Sequence, residues 1–188
     1  MNEGYILKIK LKHIRPPIWR RIWVPGWLNL EEFHEVIQAS MGWLNCHLHR
    51  FEADGKAYSI QDDAFPDDSI DESQVALKDV LKQEGHKIRY IYDFGDYWDH
   101  EILYEKKESK NSLYPYVLKG KKACPPEDCM GEPGYYRLLD ILEKEENEKE
   151  LSEEEQKILE WLGEDYHPDN WDITEANAAL KQIKLSRH

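Results

Sequence analysis

Residues 88–104 read IRYIYDFGDYWDHEILY, and this stretch decides the fold. Ile88, Tyr90 and Tyr92 recur at every second position, which is the period of a β-strand with one buried face. The alternation runs into Gly95-Asp96, a turn signal, and the return strand then separates aromatic and aliphatic residues from mainly charged ones. The stretch therefore predicts an antiparallel hairpin whose apolar face packs into a core.

Two more hairpins are predicted on the N-terminal side of this one. Residues 5–11 alternate apolar and mostly basic side chains, and residues 18–24 form a second strand rich in Trp and Arg. Residues 47–53 and 56–60 are joined by Asp54-Gly55, a short hairpin loop. Residues 62–72 are expected to form an acidic loop, and residues 117–122 one more short strand.

Helices are predicted where apolar residues follow helical spacing behind a capping residue. Asn29 precedes a helix that ends at Gly42, and Ser152-x-x-Glu155 is a capping box for a helix that ends at Gly163. The other predicted helices are residues 75–82, residues 133–143 and a last helix after Asp172 with Ile173, Ala176, Leu180 and Ile183 inward. The pattern predicts a single α+β domain over residues 1–188: a largely antiparallel sheet built from hairpins, packed with helices, with a helical C-terminal region.

Composition excludes several classes of protein. Asp and Glu number 38 against 25 Lys and Arg, and the net charge of −13 opposes loose binding to phosphate backbones. Aromatic residues make up 12% of the chain, which is too many for a disordered acidic protein. The chain has three Cys, and no membrane span or signal peptide is recognisable, so a reducing, cytoplasmic location is expected.

Charge is unevenly distributed, with +5 in residues 1–30 and −18 in the remainder. A basic ribbon that also carries Trp19, Trp23 and Trp27 is suited to contact a nucleic-acid strand. The alternative is that these charges pair internally with the acidic tail or are solvated, as on many edge strands. We favour the internal interpretation, so nucleic-acid binding is expected only through residues 1–30, if at all.

Two histidines, His47 and His49, are separated by one residue. On a strand their imidazoles point to one face and can converge on one metal ion or one proton-transfer partner. A catalytic zinc site needs further ligands, which His100, Asp96, Asp99, Asp128 or a cysteine could supply. The alternative is that His49 lies near the surface while His47 bonds a backbone group.

A second candidate is the loop Cys124-Pro125-Pro126-Glu127-Asp128-Cys129. Cys124 and Cys129 have the spacing of half a zinc clip, or of a reversible thiol pair. The favoured alternative is a rigid loop in which the two prolines present Glu127 and Asp128 in a fixed direction. The weak metal-ligand candidates are therefore His47, His49, Cys124 and Cys129, and no cofactor is required by the sequence.

Four motifs together resemble the root-inducing-plasmid ORF-three-like family. They are Ile14-Arg15-Pro16-Pro17-Ile18-Trp19-Arg20-Arg21, Met41-Gly42-Trp43 with His47 to Phe51, Tyr92 to His100, and Cys124 to Cys129. The resemblance implies a domain of unknown biochemical function, with some relatives associated with mobile elements. It implies signature positions at Pro17, Trp19, Arg20, Gly42, Trp43, His47, Phe51, Asp93, Gly95, Asp96, Trp98, His100, Pro125, Glu127, Asp128 and Gly134. Met130-Gly131 departs from the pair of glycines that the family carries after its second cysteine.

Three hypotheses follow for the function. The first is a binding module with an aromatic and polar cleft for a small polar ligand or peptide segment, formed by Trp19, Arg20, Trp43, His47, Asp96, Trp98, His100, Glu127 and Asp128. The second is a hydrolase-like enzyme, acting with or without a metal ion, with catalytic candidates His47, His100, Asp96, Asp128 and Glu127. The third is an interaction or nucleic-acid-binding protein associated with a mobile element. The sequence predicts no membrane partner and leaves the oligomeric state open.

Overall fold

A computed structural model describes residues 1–61 and 68–186. Within these residues eight strands form one sheet in the order β5-β4-β3-β6-β7-β1-β2-β8, antiparallel except for the parallel pair of β4 and β5. The strands are β1 (Gly4–Leu11), β2 (Trp19–Pro25), β3 (His49–Ala53), β4 (Lys56–Ser59), β5 (Ile70–Asp71), β6 (Lys87–Tyr92), β7 (Trp98–Lys107) and β8 (Tyr116–Lys121). The helices are α1 (Leu30–Met41), α2 (Leu77–Val80), α3 (Gly131–Glu146), α4 (Glu153–Leu162) and α5 (Ile173–Leu180), with a 3₁₀ turn at Glu72–Gln74. The predicted α+β class is confirmed.

All three predicted hairpins form, as β1–β2, β3–β4 and β6–β7. The sequence does not predict how they join, because strands that are distant in the chain become neighbours. β1 pairs with β7, so that Ile9 lies between Arg20 and Ile102, and β3 pairs with β6. The β6–β7 hairpin therefore lies at the centre of the sheet, with a neighbouring hairpin on each side.

The two faces of the sheet differ in polarity, as the alternation predicts. Leu7, Ile9 and Ile102 are fully buried on the face that packs in the core with Phe33 and Ile37 of α1. The opposite face is charged, and its centre is Asp99. Asp99 accepts hydrogen bonds from Lys12 Nζ at 2.8 Å and from Arg89 Nε at 2.8 Å.

These contacts settle where part of the basic ribbon is paired. Lys12 contacts Asp99, and Arg21 forms a bidentate pair with Glu105 at 2.6 and 2.8 Å. Burial alone would raise the pKa of Asp99, but the hydrogen bonds from Arg89 and Lys12 outweigh it and lower that pKa. The partners are carboxylates of β7 rather than the acidic tail, because β1 pairs with both β2 and β7 and brings side chains of these strands onto one face. Trp19 lies over this charged surface, with Lys8 Nζ 5.1 Å from its ring centroid.

Helix α1 is fixed at both ends. Asn29 and Glu32 form a capping box at its start, with Glu32 N donating to Asn29 Oδ1 at 2.8 Å. At its end the buried Arg20 guanidinium of β2 donates to the carbonyls of Ser40 at 2.8 Å and Met41 at 3.2 Å. A cation at this position compensates the unpaired carbonyls and the negative end of the helix dipole. Burial lowers the pKa of Arg20 to about 10, so the guanidinium stays charged at neutral pH.

Several boundaries and burial assignments differ from the sequence prediction. His47 precedes β3 instead of opening it, and β3 begins at His49. Ile173, predicted to point inward, is 37% exposed, while Ala176 and Leu180 of the same helix are buried. Part of the expected acidic loop, residues 62–67, lies outside the described residues, and Asp71 and Glu72 belong to β5 and the 3₁₀ turn.

Candidate functional site

The segment between α1 and β3 carries His47, and the polar side of α1 holds it in place. Asn45 N donates to Gln38 Oε1 at 2.9 Å, and Asn45 Nδ2 donates to Glu35 Oε1 at 2.9 Å. His34 Nε2 donates to Asn45 Oδ1 at 2.7 Å. Asn45 therefore bonds three residues of α1 and anchors the segment directly before His47.

Glu127 ties the same segment to the loop before α3. Its Oε1 atom accepts hydrogen bonds from Leu44 N at 2.7 Å and from Tyr92 Oη at 3.0 Å. Tyr92 Oη in turn accepts from Cys46 N at 3.0 Å. The other carboxylate oxygen, Oε2, is buried and has no hydrogen-bond partner among the described residues. One oxygen of Glu127 thus positions the backbone, and the other remains available.

Three carboxylate side chains converge on His47 Nε2. Asp128 Oδ1 lies 3.0 Å away, Asp93 Oδ2 3.6 Å away and Glu127 Oε2 3.8 Å away. In spite of these distances His47 Nε2 makes no aligned hydrogen bond, although the atom is buried. Cys46 Sγ lies 3.8 Å from the Tyr92 hydroxyl and joins His47 and Glu127 in one set of potential metal ligands. We name this set, comprising Cys46, His47, Asp93, Glu127 and Asp128, the His47 cluster.

The spacing of the donors fits a bound cation. Donor atoms about 2.1 Å from one ion lie about 3.0 to 3.5 Å from each other in octahedral or tetrahedral geometry. The His47 Nε2 to Asp128 and Asp93 oxygen distances, 3.0 and 3.6 Å, are close to this range. The ligand atoms of His47, Asp93 and Asp128 all lie within 4.8 Å of one another. Carboxylate oxygens with one imidazole suit Zn²⁺ or Mn²⁺.

The backbone of the cluster adopts an unusual conformation. Asn45, Asp93, Asp128 and Met130 have φ values of 55°, 57°, 57° and 71°, in the left-handed region. Such residues concentrate at functional sites, where the surrounding structure holds them in place. Met130 takes the glycine-like conformation at the position where the sequence departs from the family pattern. A side chain at the next residue, Gly131, would place its Cβ only 2.8 Å from the Asp96 carbonyl oxygen.

His49 belongs to a different arrangement, although it is two residues from His47. Its ring stacks on His34 with centroids 3.5 Å apart, and its Nε2 lies 2.9 Å from both oxygens of Glu72. Tyr90 Oη donates to His34 Nδ1 at 2.8 Å and accepts from Gln38 Nε2 at 2.9 Å. We name this set, comprising His34, Gln38, His49, Glu72 and Tyr90, the His49 network.

The His49 network is neutral at physiological pH. Burial lowers the pKa of His34 to about 3 and that of His49 to about 4. Burial raises the pKa of Glu72 to about 8. Both shifts favour the uncharged form of the pair, in which the Glu72 carboxyl group donates to His49 Nε2. Since His49 is 3% exposed and its Nε2 is occupied, the two imidazoles do not converge on one ion, and the expectation of a surface-exposed His49 is also wrong.

The other residues selected from the sequence are distributed through the core. His100 is fully buried, its Nδ1 lies 2.9 Å from the Trp98 carbonyl oxygen, and burial lowers its pKa to about 4. Trp43 packs between Tyr92 and Trp98, with ring centroids 5.3 and 5.6 Å apart. His100 thus lies beneath the aromatic layer, which separates it from the His47 cluster. Asp96 stays on the turn, where its Oδ2 is buried without a hydrogen-bond partner.

Neither Cys124 nor Cys129 is in a potential metal group within residues 1–61 and 68–186. Both are buried free thiols, and burial raises the pKa of each to about 12. The thiols are therefore protonated at neutral pH. This environment favours the interpretation of the loop as a rigid support for Glu127 and Asp128.

A cleft of about 570 Å³ lies next to the His47 cluster. Its walls come from the end of α1, the loop that contains Pro125 and Pro126, and the region from α4 to α5. Trp43, Trp161, Tyr166 and Trp171 supply aromatic surface, and Glu127 lines both the cleft and the cluster. The volume is in the range of small-molecule sites, about 300 to 1,000 Å³.

This geometry defines a class of protein. It is an α+β protein with a mainly antiparallel sheet, whose loops carry a cluster of one histidine and several carboxylates. The chain matches the family described as plasmid pRiA4b ORF-3-like protein over residues 3–175 and belongs to it, as the motifs predicted. It is 33% identical over 180 residues to the uncharacterized protein y4hQ of Sinorhizobium fredii, covering 94% of this chain and 90% of that protein. It is similar, at 33% identity and a TM-score of 0.78, to the crystal structure of the protein of unknown function MM3350 from Methanosarcina mazei Go1, covering 93% of this chain and 97% of that chain.

Sequence reasoning selected His47, Glu127 and Asp128, which the structure brings together. Asp93 is a signature position of the resemblance but not a predicted site residue, because the turn is predicted at Gly95-Asp96. The sequence allows Cys46 as a metal ligand only together with Cys124 and Cys129, whereas the structure places it with His47 and Glu127. The signal for Asp93 is its position at the end of the aromatic strand, directly after Tyr92. In residues 1–61 and 68–186, no helix has the length and apolar character needed to cross a membrane.

Proposed function

We propose that the protein binds a divalent metal ion at His47, Asp93 and Asp128 and uses it for hydrolysis. The observation that carries the proposal is the convergence of these carboxylates on a buried histidine nitrogen that makes no aligned hydrogen bond within residues 1–61 and 68–186. Leaving such a group unpaired costs about 1 to 3 kcal/mol, which coordination of an ion offsets. A bound ion also offsets the repulsion between carboxylates held this close together.

Hydrolysis is supported by Glu127. A divalent ion lowers the pKa of a bound water, and a carboxylate beside the ion is suited to accept the proton. Glu127 Oε2 lies 3.8 Å from His47 Nε2, and no protein group satisfies it within the described residues. Leu44 N and Tyr92 Oη donate hydrogen bonds to Glu127 Oε1, and these bonds fix the direction of Oε2. His100, a catalytic candidate from the sequence, is too deeply buried to take part.

The proposal is tested first by metal binding. Metal-free protein is titrated with Zn²⁺ and with Mn²⁺ by calorimetry, and bound metal is quantified by mass spectrometry after gel filtration. We expect one ion per chain for at least one metal, and a loss of affinity of at least about 100-fold in His47→Ala and Asp93→Asn. The matched control is His167→Ala, which removes a surface histidine that pairs with Glu146 elsewhere on the molecule. Absence of binding at micromolar metal, or equal loss in the control, overturns the proposal.

Hydrolysis is tested separately with chromogenic esters, amides, phosphate monoesters and phosphate diesters, with and without the ion. Activity should require the metal and should fall by about 100-fold in Glu127→Gln, since a general base contributes roughly 10²- to 10⁴-fold. The metal content of this variant is measured in parallel. Retained metal without any hydrolysis in the parent protein would overturn the catalytic part alone.

A second candidate function is a binding module without chemistry. The cleft favours it, because aromatic walls and a few polar groups in a concave site of about 570 Å³ suit recognition. Trp43 and Glu127 from the predicted binding set line this cleft, whereas Trp19 lies over the charged face of the sheet. Ligand binding that persists in protein with no metal and no hydrolytic activity distinguishes this function from the first.

A further inference from the structure

The cleft beside the His47 cluster has a distinctive chemical character. Its ionisable lining residues, apart from Cys124 and Tyr166, are the carboxylic acids Glu127, Asp172 and Glu175. No lysine, arginine or histidine lines it within residues 1–61 and 68–186. The lining of the cleft therefore combines negative charge with four aromatic side chains.

Of these carboxylates, Glu175 is freely available to a ligand, because it is exposed and makes no ion pair within the part of the chain that the structure describes. Glu127 adds negative charge to the wall, although its Oε2 atom is buried 3.8 Å from His47 Nε2. Asp172 accepts hydrogen bonds at the start of α5 from the backbone nitrogens of Thr174 and Glu175, which lower its pKa and keep it ionised. Met41 and Gly42 also line the cleft, but Arg20 compensates the end of α1 there, so the negative charge of the cleft comes from the carboxylates alone.

The aromatic residues are suited to the same kind of ligand. Cations bind over the faces of Trp and Tyr rings within about 6 Å of the centroid. The Trp171 ring already accepts a guanidinium, since Arg20 Cζ lies 4.0 Å from its centroid. That cation is fully buried, and backbone carbonyls accept its hydrogen bonds, so it leaves the open side of the cleft without a positive group. Trp161 is 53% exposed and offers free ring surface.

We propose that this cleft is a binding site for an organic cation, an ammonium or guanidinium group such as a lysine or arginine side chain carried on a short peptide. The cavity of about 570 Å³ is larger than one side chain and leaves room for the neighbouring peptide units. The inference goes beyond the proposed metal centre and does not depend on it. Glu127, shared by the two sites, places such a ligand beside the His47 cluster.

The probes are three dipeptides of matched size, N-acetyl-arginyl-alanine amide, N-acetyl-norleucyl-alanine amide and N-acetyl-glutamyl-alanine amide. Binding is measured by calorimetry on metal-free protein at low and high salt. We expect the arginyl peptide to bind at least about 10-fold more tightly than the norleucyl peptide, with an affinity that falls as salt rises. Equal binding of these two peptides, preference for the glutamyl peptide, or no binding at millimolar concentration overturns the inference.

Variants separate this inference from the proposed function. Glu175→Gln and Trp161→Ala, both at exposed positions, should each weaken the arginyl peptide about 3- to 10-fold and leave metal binding unchanged. The matched control is Glu160→Gln, which removes an exposed charge next to Trp161 from a residue that does not line the cleft. His47→Ala should lose the metal and retain the arginyl peptide. Loss of peptide binding in Glu160→Gln to the same degree would show a general charge effect and contradict the inference.

Discussion

His47 and His49 are two residues apart, and their surroundings are opposite in almost every respect. His49 is buried in a neutral network in which Glu72 satisfies its Nε2 atom and His34 covers its ring. His47 is partly exposed among carboxylates, and its Nε2 atom has no hydrogen-bond partner. The difference teaches that a histidine whose ring nitrogens are hydrogen-bonded stabilises the fold, whereas one whose ring nitrogen faces several carboxylates without an aligned hydrogen bond is suited to bind a ligand.

The largest expected effect is a difference in the free energy of unfolding between alanine variants of the two histidines. His49→Ala should lower the free energy of unfolding by about 3 to 5 kcal/mol, because it leaves the uncharged Glu72 carboxyl group buried without its hydrogen-bond partner and opens a cavity beside the His34 ring. His47→Ala should change it by less than about 1 kcal/mol in metal-free protein. Urea denaturation at pH 7 measures both. Glu72→Gln, which keeps a donor for His49, should cost less than half as much as His49→Ala, and equal destabilisation by the two alanine variants would refute the comparison.

The next effect tests the His47 cluster through ligand-linked stability. Zn²⁺ at 100 times its dissociation constant should raise the free energy of unfolding by about 2.7 kcal/mol. The increase should be absent in Asp93→Asn, which removes a proposed ligand, and present in Glu72→Gln, which alters only the His49 network. Thermal and urea unfolding with and without Zn²⁺ provide the measurement. An increase that survives in Asp93→Asn would place the ion elsewhere.

A third prediction concerns pH. His34, His49 and His100 have folded-state pKa values lowered by burial to about 3, 4 and 4, below the 6.5 of an unperturbed histidine. The unfolded chain therefore binds more protons below pH 6.5, and stability is lost as the pH falls from about 6.5 towards 4. Each such histidine contributes about 1.4 kcal/mol per pH unit where it titrates fully. His100→Asn, which keeps a donor for the Trp98 carbonyl, should reduce the slope between pH 4.5 and 6 by about that amount.

The control for this slope is Ser40→Ala, which removes a buried hydroxyl that donates to the Ile37 carbonyl but no titrating group. It should lower stability equally at every pH. Glu72 acts with the opposite sign, because its folded-state pKa is raised from 4.5 to about 8. Its contribution to stability is present below pH 4.5 and is lost as the pH rises through 8. The free energy of unfolding of Glu72→Gln should therefore rise relative to that of the parent protein over that interval. A parent protein with constant stability from pH 7 to 5 would contradict the neutral state of the buried histidines.

The smallest effect is expected at Asn45, which connects the two regions. Asn45→Gly removes its bonds to His34 and Glu35, while glycine tolerates the φ of 55°. We expect a loss of about 1 kcal/mol of stability and about 10-fold weaker metal binding, as for residues that orient metal ligands. Calorimetry and urea denaturation on one preparation measure both quantities. Unchanged metal affinity would show that the His47 cluster does not depend on the His49 network.

Much of the fold was predictable because it follows from local patterns. The alternation around Tyr90 and His100 defines a hairpin, and the capping boxes at Asn29 and Ser152 define two helix starts. The pairing of β1 with β7 was not predictable, because any two strands with matching apolar faces satisfy the same alternation. The same limit affected the candidate site. Residue type selected His47, Glu127 and Asp128, but only the positions of the loops brought in Asp93 and directed His49 to Glu72.

The sequence by itself determined the class of fold, the hairpins, the helix caps and the family, since each depends on residues that are close together in the chain. Tertiary structure alone decided the partner of each polar side chain. His47 and His49 differ in sequence only by two positions, and what surrounds them comes from the turn after β6, the loop before α3 and the 3₁₀ turn at Glu72–Gln74. The charge and hydrogen bonding of an imidazole depend on atoms within a few ångströms, and most of those atoms belong to distant parts of the chain.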